Sequence, residues 1–224
     1  MLFSDNDPTF SIIYREIILS DTYDLRACKQ ELDIIVDIGA NVGLFSVYAR
    51  MHYPTARIIA IEPCKKSYEY LVKNVQGLHI ETYNFALGNN KKLYLIEQKQ
   101  GGSNKFLESQ DQGESCDSFD LGTLFEKFKI DAGKDRYFIK SDCEGGEQYL
   151  LNDDKAENII KHAIQLSMEV HFPGTRSSIF NHLPQYTIIN DWIKNKFSKT
   201  HEIKYWHSSK RIGLGTYVLK LIKS

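Results

Sequence analysis

The sequence predicts a doubly wound α/β domain, in which helices cover both faces of a mostly parallel sheet. Short β-branched runs alternate with segments of helical periodicity along most of the chain. The first of these runs ends in a glycine-rich turn that opens a helix, as at a ligand site beside parallel strands. A length of 224 residues suits one domain. We therefore expect an N-terminal extension at residues 1–31 and one core at residues 32–224, whether or not the polypeptide is longer.

The individual elements follow from apolar runs and helical spacing, taken in chain order. Residues 34–38 form a β-branched run that ends in glycine, which predicts a buried strand. Apolar residues at helical spacing predict a helix over 44–51, which Pro54 closes. The same criteria predict strands at 57–61, 79–85, 91–98, 136–140, 163–170, 201–205 and 216–222, helices at 65–75, 121–128 and 187–197, and polar loops at 99–115 and 172–185.

Composition excludes several classes of protein. A net charge of -1 gives no electrostatic reason to expect a nucleic acid or an acidic membrane as partner. No apolar run approaches the ~20 residues that span a bilayer, and the acidic, polar start is unlike a secretory signal. The four cysteines are isolated and lack zinc-site spacing, so we expect free thiols and a cytoplasmic protein; they are Cys28, Cys64, Cys116 and Cys143.

A nucleoside site is predicted at the ends of the first two strands. Asp37, Gly39, Asn41 and Gly43 lie in the turn that opens the first helix, where glycine permits close approach and free N–H groups favour an anionic group. Glu62 ends the second strand, about 20 residues further on, where a carboxylate accepts both ribose hydroxyls. A glycine turn alone is equally explained as a structural feature, but the pair at this spacing favours nucleoside binding.

The form of the turn favours S-adenosylmethionine over a dinucleotide. A dinucleotide site needs Gly-x-Gly-x-x-Gly, whereas this turn is shorter and has Asn41 in its centre. Asp37 places an acid beside it, which suits a ligand that carries an ammonium group. Two alternatives stay open: a nicotinamide-dependent oxidoreductase, and a binding module that kept the fold but lost catalysis.

The sequence resembles the FkbM family of class I methyltransferases between about residues 32 and 171. The motifs that carry the resemblance are, in the family's order, Val36-Asp37-Ile38-Gly39-Ala40-Asn41-Val42-Gly43, Ile61-Glu62-Pro63, Ala86-Leu87-Gly88, Ile139-Lys140-Ser141-Asp142-Cys143-Glu144-Gly145-Gly146-Glu147 and Met168-Glu169-Val170-His171. The first motif is widespread among methyltransferases, whereas the Lys-x-Asp-x-Glu-Gly-x-Glu block is much more specific. Ser141 and Cys143 stand where the family usually has small aliphatic residues.

The resemblance implies a Rossmann-like seven-stranded sheet whose last strand is antiparallel. It also implies S-adenosylmethionine as methyl donor and O-methylation, commonly on sugars of glycans or natural products. The predicted cofactor-binding residues are Asp37, Gly39, Asn41, Gly43, Glu62, Pro63, Phe85 and Ala86. A nucleic-acid methyltransferase would need a basic groove and usually a stacking motif such as Asn-Pro-Pro-Tyr near the fourth strand, where this chain has residues 142–145.

The polar residues after the fourth and fifth strands are the candidates for chemistry. A sugar hydroxyl is a poor nucleophile, so a base or a Lewis acid should assist it. In one hypothesis His171 or Asp142 is the general base, with Lys140 as an electrostatic group. In the other, Asp142 and Glu169 hold Mg²⁺ or Mn²⁺, because oxygen ligands on neighbouring strands suit these ions.

Structural explanations compete with each of these roles. Glu144 could cap the following helix, Lys140 could be an ordinary ion-pair partner of Asp142, and a lone histidine at a strand end is more often structural. Residues 101–104 and 171–176 are candidate walls of the acceptor site, as are three aromatic residues able to stack on a sugar: Trp192, Tyr205 and Trp206. The helical spacing of Trp192 favours the core, and Cys143 is expected to be a buried thiol.

Overall fold

The computed structural model describes residues 10–96, 105–107, 114–144, 146–150, 154–171, 191–206 and 216–223. The helices are α1 (Phe10–Tyr14), α2 (Leu44–His52), α3 (Lys65–Asn74), α4 (Leu121–Phe128), α5 (Asp154–His162) and α6 (191–197), with a π-helical turn at Arg15–Leu19 and a 3₁₀ turn at Gly146–Leu150. The strands are β1 (Ile34–Ile38), β2 (Arg57–Ile61), β3 (Ile80–Tyr83), β4 (Ala86–Leu87), β5 (Lys92–Ile96), β6 (Lys105–Leu107), β7 (Ser115–Phe119), β8 (Tyr137–Ser141), β9 (Gln165–His171), β10 (His201–Trp206) and β11 (Thr216–Lys223).

Seven of the described strands form the main sheet, in the order β10-β11-β9-β8-β1-β2-β3. The five strands from β9 to β3 are parallel, and β11 runs antiparallel between β9 and β10. The order reverses between β1 and β8, and in doubly wound sheets ligands bind at such a point, beyond the carboxyl ends of the strands. The predicted doubly wound sheet with an antiparallel last strand is confirmed.

Helices and loops cover the sheet on both faces, which explains the unbroken apolar strands. All five residues of β1 are buried, as expected for a parallel strand with no solvent-facing side. Its alternate residues enter two cores: Val36 packs with the cluster under α4 and α5, and Ile35 packs with the cluster under α2. The second cluster also contains Tyr23 and Leu25 of the N-terminal segment, so that segment is part of the domain.

A second, smaller sheet of four described strands, ordered β4-β7-β5-β6, is inserted between β3 and α4. The sequence predicted β5, but it assigned residues 99–115 to a loop and no element to residues 116–119, and therefore missed both β6 and β7. The burial of β7 alternates, with Cys116 and Ser118 buried and their neighbours more exposed. A strand of five mostly small, polar residues carries too weak an apolar alternation to be recognised from sequence.

Two further differences concern helices. Helix α5 was not predicted, although its apolar residues Ala156, Ile159 and Ile160 are buried on one face. The N-terminal extension, expected only as an appendage, contains α1 and the π-helical turn. Among the described residues, no helix is long and apolar enough to cross a membrane.

Candidate functional site

The turn after β1 is locked to the ends of two neighbouring strands. The backbone N–H groups of Gly39 and Ala40 both donate to the carbonyl of Ile61, at 2.9 Å each. Gly39 has a φ of +75°, and a Cβ built on it would lie 1.8 Å from the backbone oxygen of Asp142. The turn therefore requires glycine for both its dihedral angle and its contact with the end of β8.

The second half of the turn leads into α2 and is tied to Glu62. Asn41 also has a positive φ, of 50°, and its N–H donates to Oε2 of Glu62 at 2.8 Å. Gly43, with a φ of +90°, precedes the first residue of α2, and a Cβ there would approach Leu71 Cδ1 to 2.7 Å. The predicted partners Asn41, Gly43 and Glu62 are thus brought together.

Glu62 is a buried carboxylate held by backbone donors on both oxygens. Its Oε1 accepts from the N–H of Cys64 at 2.8 Å, and the side chain of Asn84 donates to the Glu62 and Pro63 carbonyls at 2.8 and 3.0 Å. Burial raises the pKa of Glu62 to about 7, even though the two backbone donors favour its charged form. Each carboxylate oxygen has a second lone pair and can accept a further hydroxyl.

The remaining predicted cofactor residues lie close by in different settings. Pro63 follows β2 and is half-buried, and Ala86 is buried in β4. Phe85 is buried in the core, where its ring meets that of Phe119 edge-to-face at 5.0 Å. Its side chain therefore acts as packing beneath the site. Asn84, which the sequence analysis did not single out, is exposed at the surface of this edge.

Asp37 and Lys140 form a buried ion pair beneath the turn. Lys140 Nζ lies 3.2 Å from Asp37 Oδ1, and their side chains are 3% and 0% exposed. Nζ also donates to the carbonyl of Gly39 at 2.7 Å, while Asp37 Oδ2 accepts from Ser46 Oγ at 2.6 Å. Burial lowers the pKa of Lys140, but the charges of Asp37 and Asp142 outweigh it, so the pKa lies above its ordinary value.

The contacts of Lys140 are closer to Asp37 than to Asp142. Its ammonium is oriented by Asp37 and the Gly39 carbonyl, whereas Asp142 Oδ2 lies at a longer 3.9 Å. In this structure the ion-pair partner of Lys140 is therefore mainly Asp37, whereas the sequence analysis named Asp142. Asp37 is fully buried.

Asp142 and Glu169 meet at the carboxyl edge of β8 and β9, as their positions after adjacent strands predict. The hydroxyl of Tyr23 lies between them, 3.0 Å from Asp142 Oδ2 and 3.4 Å from Glu169 Oε2. The Asp142 N–H donates to the carbonyl of Ile38 at 3.0 Å, and its side chain is 27% exposed. Burial, then the charges of Asp142 and Glu169, raise the pKa of Tyr23 well above its usual value, so the phenol stays protonated.

Tyr23 is the main residue of this edge that sequence reasoning missed. It comes from the N-terminal segment, 119 residues before Asp142 and 146 before Glu169. The local signal is only a turn: the side chain of Asp21 accepts the N–H groups of Leu25 and Arg26, at 3.1 and 2.9 Å. That signal predicts a bend in the chain and not the strand against which the bend packs.

The Lys-x-Asp-x-Glu-Gly-x-Glu block forms a tight turn. Glu147 is buried, and its Oε1 accepts from the N–H of Cys143 at 3.0 Å, so it stabilises the turn in the way that the sequence suggested for Glu144. Glu144 has a φ of 53°. Burial raises the pKa of Cys143 well above its usual value, and its Sγ lies 3.0 Å from Ser141 Oγ, as expected for a protonated thiol.

The predicted metal site offers two carboxylates among the described residues. Within the part of the chain that the structure describes, no three His, Cys, Asp or Glu side chains converge as a metal site. Asp142 and Glu169 would supply two oxygen ligands, and the Tyr23 hydroxyl stands between them. A cation here would have to displace that hydroxyl and complete its coordination with water or substrate.

Several acceptor-site candidates fall outside the described residues. These are residues 101–104 and 172–176 and the side chains of His171, Tyr205 and Trp206. The strand β9 does continue to His171. Trp192 packs against the core beside Phe197, with ring centroids 5.3 Å apart, as its helical spacing favoured.

Comparison with known proteins identifies a family of methyltransferases. The model of the methyltransferase FkbM domain matches residues 37–198. Methyltransferase sdnD of Sordaria araneosa is 43% identical over 63 residues, 28% of this chain and 24% of the relative. Methyltransferase 1 of Beauveria bassiana (strain ARSEF 2860) is 28% identical over 113 residues, 48% of this chain and 45% of the relative. These alignments span less than half the length of either relative.

The fold also has counterparts among solved structures. The O-methyltransferase from Bacillus cereus in complex with SAH superposes with a TM-score of 0.55 at 11% identity, covering 92% of this chain and 80% of that chain. At this identity the likeness shows the fold alone.

Proposed function

The chain belongs to the FkbM family of S-adenosylmethionine-dependent methyltransferases, and we propose that it transfers the methyl group of that donor to a hydroxyl of a sugar or glycan. The family match over residues 37–198 favours this chemistry over the nicotinamide-dependent oxidoreductase. The observation that carries the proposal is Glu62, a carboxylate fixed to the glycine turn and able to accept two more hydroxyls.

The donor fits this edge by its three chemical parts. Glu62, whose position is set by Asn41 and Cys64, would accept the ribose hydroxyls. The first residues of α2, which follow the turn, would offer backbone N–H groups to the carboxylate of the amino-acid part. S-adenosylmethionine supplies a methyl group on a positively charged sulfur, which is activated for displacement before any protein group acts.

The acceptor side of the proposal uses Asp142. An acceptor oxygen in line with the methyl group and sulfur attacks the methyl carbon, the sulfur–carbon bond breaks, and the sulfonium becomes a neutral thioether. Asp142 takes the proton of the acceptor hydroxyl and later passes it to water. Its partly exposed carboxylate lies one residue beyond β8, close to the turn through the Gly39 contact. His171, at the end of β9, is the alternative base.

A metal-assisted version of the same transfer makes a different prediction. If Asp142 and Glu169 hold Mg²⁺ or Mn²⁺, dialysis against EDTA abolishes turnover and added Mg²⁺ restores it. If Asp142 acts as the base, activity survives EDTA unchanged. We expect the second outcome, because the Tyr23 hydroxyl already bridges the two carboxylates.

Binding of S-adenosylhomocysteine is the experiment that tests the donor site. Calorimetry on the purified chain should give near one-to-one binding at micromolar concentration, weakened at least about tenfold by Glu62→Gln because two hydroxyl contacts lose their charged acceptor. Glu126→Gln, on the exposed face of α4, is the matched control and should bind as the wild type does. No binding at millimolar ligand would overturn the proposal.

The acceptor class needs its own assay. Tritium from methyl-labelled S-adenosylmethionine should appear in a panel of methyl glycosides, and mass spectrometry should show a gain of one methyl group. A matched panel of amines and thiols tests whether oxygen is the nucleophile. Transfer to those compounds without transfer to any glycoside would contradict the sugar acceptor while leaving the donor site intact.

A further inference from the structure

The hydroxyl of Tyr23 makes contacts that are separate from the packing of its ring. The ring is 4% exposed and packs edge-to-face on Phe45, with centroids 5.5 Å apart, and Lys140 Nζ lies 5.5 Å from the ring centroid. A phenylalanine would keep these contacts. The hydroxyl is the one additional group, and it points between Asp142 and Glu169 at the carboxyl edge of the sheet.

Backbone and charge contacts elsewhere fix the position of Tyr23. Its carbonyl accepts from Gln165 Nε2 at 2.9 Å and from Ser167 Oγ at 2.7 Å, which ties the segment to β9. The next residue, Asp24, pairs at 2.7 Å with Lys220 of β11, a lysine whose side chain is 5% exposed. These contacts, and not the hydrogen bonds of the hydroxyl itself, therefore hold the phenol beside the two carboxylates.

We propose that Tyr23 is a positioning residue of the methyl transfer, whose single hydroxyl proton serves Asp142 and Glu169 in turn. This inference rests on the proposed function. Before transfer, the Tyr23 hydroxyl donates to Asp142 and orients its carboxylate at the edge of the sheet. When Asp142 takes the acceptor's proton, its negative charge disappears, and the Tyr23 hydroxyl turns to the carboxyl group of Glu169.

A hydroxyl between Asp142 and Glu169 offsets part of the free-energy cost of placing two carboxylates at the half-buried carboxyl edge of the sheet. Two neighbouring carboxylates repel each other, and each loses solvation on burial. A hydroxyl between them donates one hydrogen bond to whichever carboxylate carries more charge. Tyr23 does not itself accept the proton, since burial raises its pKa and keeps the phenol neutral. It acts through Asp142 and needs no contact with the donor.

The test compares Tyr23→Phe with Tyr48→Phe in the full chain. Tyr48 is a matched control because it is also buried and its hydroxyl bonds to the same N-terminal segment, at 3.3 Å from Asp21 Oδ1, yet this contact is not with Asp142 or Glu169. With an accepted glycoside, Tyr23→Phe should lower kcat about 10- to 100-fold, the effect of losing a hydrogen bond to a charged group. The KM for the donor and the Kd for S-adenosylhomocysteine should stay within about twofold. Tyr48→Phe should retain the wild-type kcat.

A thermal double-mutant cycle tests the contact without an acceptor. Tyr23→Phe removes the donor and Asp142→Ala removes the acceptor of the same hydrogen bond, so the double variant should lose less Tm than the two single losses add up to, by about 2 °C or more. Additive losses would overturn the inference, as would an unchanged kcat in Tyr23→Phe. These failures leave calorimetry with S-adenosylhomocysteine unaffected, whereas failure of the proposed function abolishes binding in the wild type.

Discussion

Gly39 and Gly77 share a positive φ but differ in their surroundings, and this difference separates backbone strain from steric contact. Gly77, at φ +79°, has open space where a Cβ would stand, whereas a Cβ on Gly39 would overlap the Asp142 carbonyl at 1.8 Å. Gly77→Ala should cost about 1–2 kcal/mol from the left-handed conformation. Gly39→Ala should cost clearly more, because backbone must also move.

Urea unfolding and calorimetry with S-adenosylhomocysteine measure the two consequences of this difference. We expect Gly39→Ala to lose ligand binding even under conditions where it remains folded, and Gly77→Ala to bind normally. Equal losses of stability and equal affinities in the two variants would show that contact between the turn and the end of β8 does not shape the donor site.

The carboxylate of Asp142 gives a second prediction at the scale of single residues. Asp142→Asn keeps the size of the side chain but removes its capacity to take a proton, so turnover should fall by about 10²-fold or more. Binding of S-adenosylhomocysteine should persist, because Glu62 and the turn are untouched. Asp131→Asn, in the exposed turn before β8, is the control. A fully active Asp142→Asn enzyme would exclude Asp142 as the base.

At the scale of elements, the buried pair of Asp37 and Lys140 joins β1 to β8 beneath the glycine turn. Lys140→Met keeps much of the side-chain volume but leaves Asp37 charged and buried, and breaking such a pair costs about 3–5 kcal/mol. The exposed pair of Lys155 and Glu126 joins α5 to α4 at 2.9 Å, with side chains 65% and 70% exposed. Lys155→Met should therefore change stability by less than about 1 kcal/mol.

Urea unfolding of the two variants measures this contrast, and ligand binding adds a second readout. Lys140→Met also removes the donor to the Gly39 carbonyl, so its affinity for S-adenosylhomocysteine should fall. If Lys140→Met were as stable as Lys155→Met, the buried pair would contribute no more than a surface pair, and the turn would be held by its bonds to Ile61 and Glu62.

Three of the elements that the sequence predicted keep a clear apolar pattern in the fold. β1 and β2 are short, almost wholly buried runs, and α4 has one strongly apolar face. β7 lies in the small second sheet and contains only one large apolar residue, so its alternation of apolar and polar residues was too weak to predict a strand. In the N-terminal segment, the turn can be recognised from the local sequence. The contacts of Tyr23 with Asp142 and Glu169 cannot be, because they join residues that are far apart in the sequence.

The candidate site also has features that the sequence predicts and others that it does not. The convergence of Glu62, Asp142 and Glu169 on one edge follows from parallel strand order, which the sequence indicates through its alternating elements. Which side chains pair could not be predicted, because Lys140 has one acid opposite it on β1 and another two residues further along its own chain. Its register opposite Asp37 puts Asp37 nearer than Asp142, at 3.2 against 3.9 Å.

At the scale of the whole molecule, Glu62 links folding to pH. Burial raises its pKa from 4.5 to about 7, so between these values the folded chain holds a proton that the unfolded chain has released. The stability that this group contributes is full below pH 4.5 and is lost as the pH rises through 7. The loss is at most about 3 kcal/mol, at 1.36 kcal/mol for each unit of pKa difference.

Urea unfolding of the wild type and Glu62→Gln between pH 5 and 8 isolates this contribution. His201 acts in the opposite sense, because burial lowers its pKa, so its unfolded form takes up a proton as the pH falls through 6.5. The difference between the two proteins removes that effect. The stability of the wild type relative to Glu62→Gln should decline with rising pH, and parallel curves would contradict a buried Glu62 with a raised pKa.

Donor binding should have the reverse dependence on pH, because ribose hydroxyls donate to the charged carboxylate. S-adenosylhomocysteine selects the ionised form of Glu62, so below pH 7 its Kd in the wild type should rise by up to about tenfold for each pH unit. In Glu62→Gln the Kd should be weaker and nearly constant between pH 6 and 8. The same carboxylate then destabilises the empty fold at pH 8 and stabilises the complex, so ligand binding should raise Tm more at pH 8 than at pH 6. A wild-type Kd that is constant over this range would mean that Glu62 is ionised throughout or does not contact the ribose, and the stability curves distinguish these two explanations.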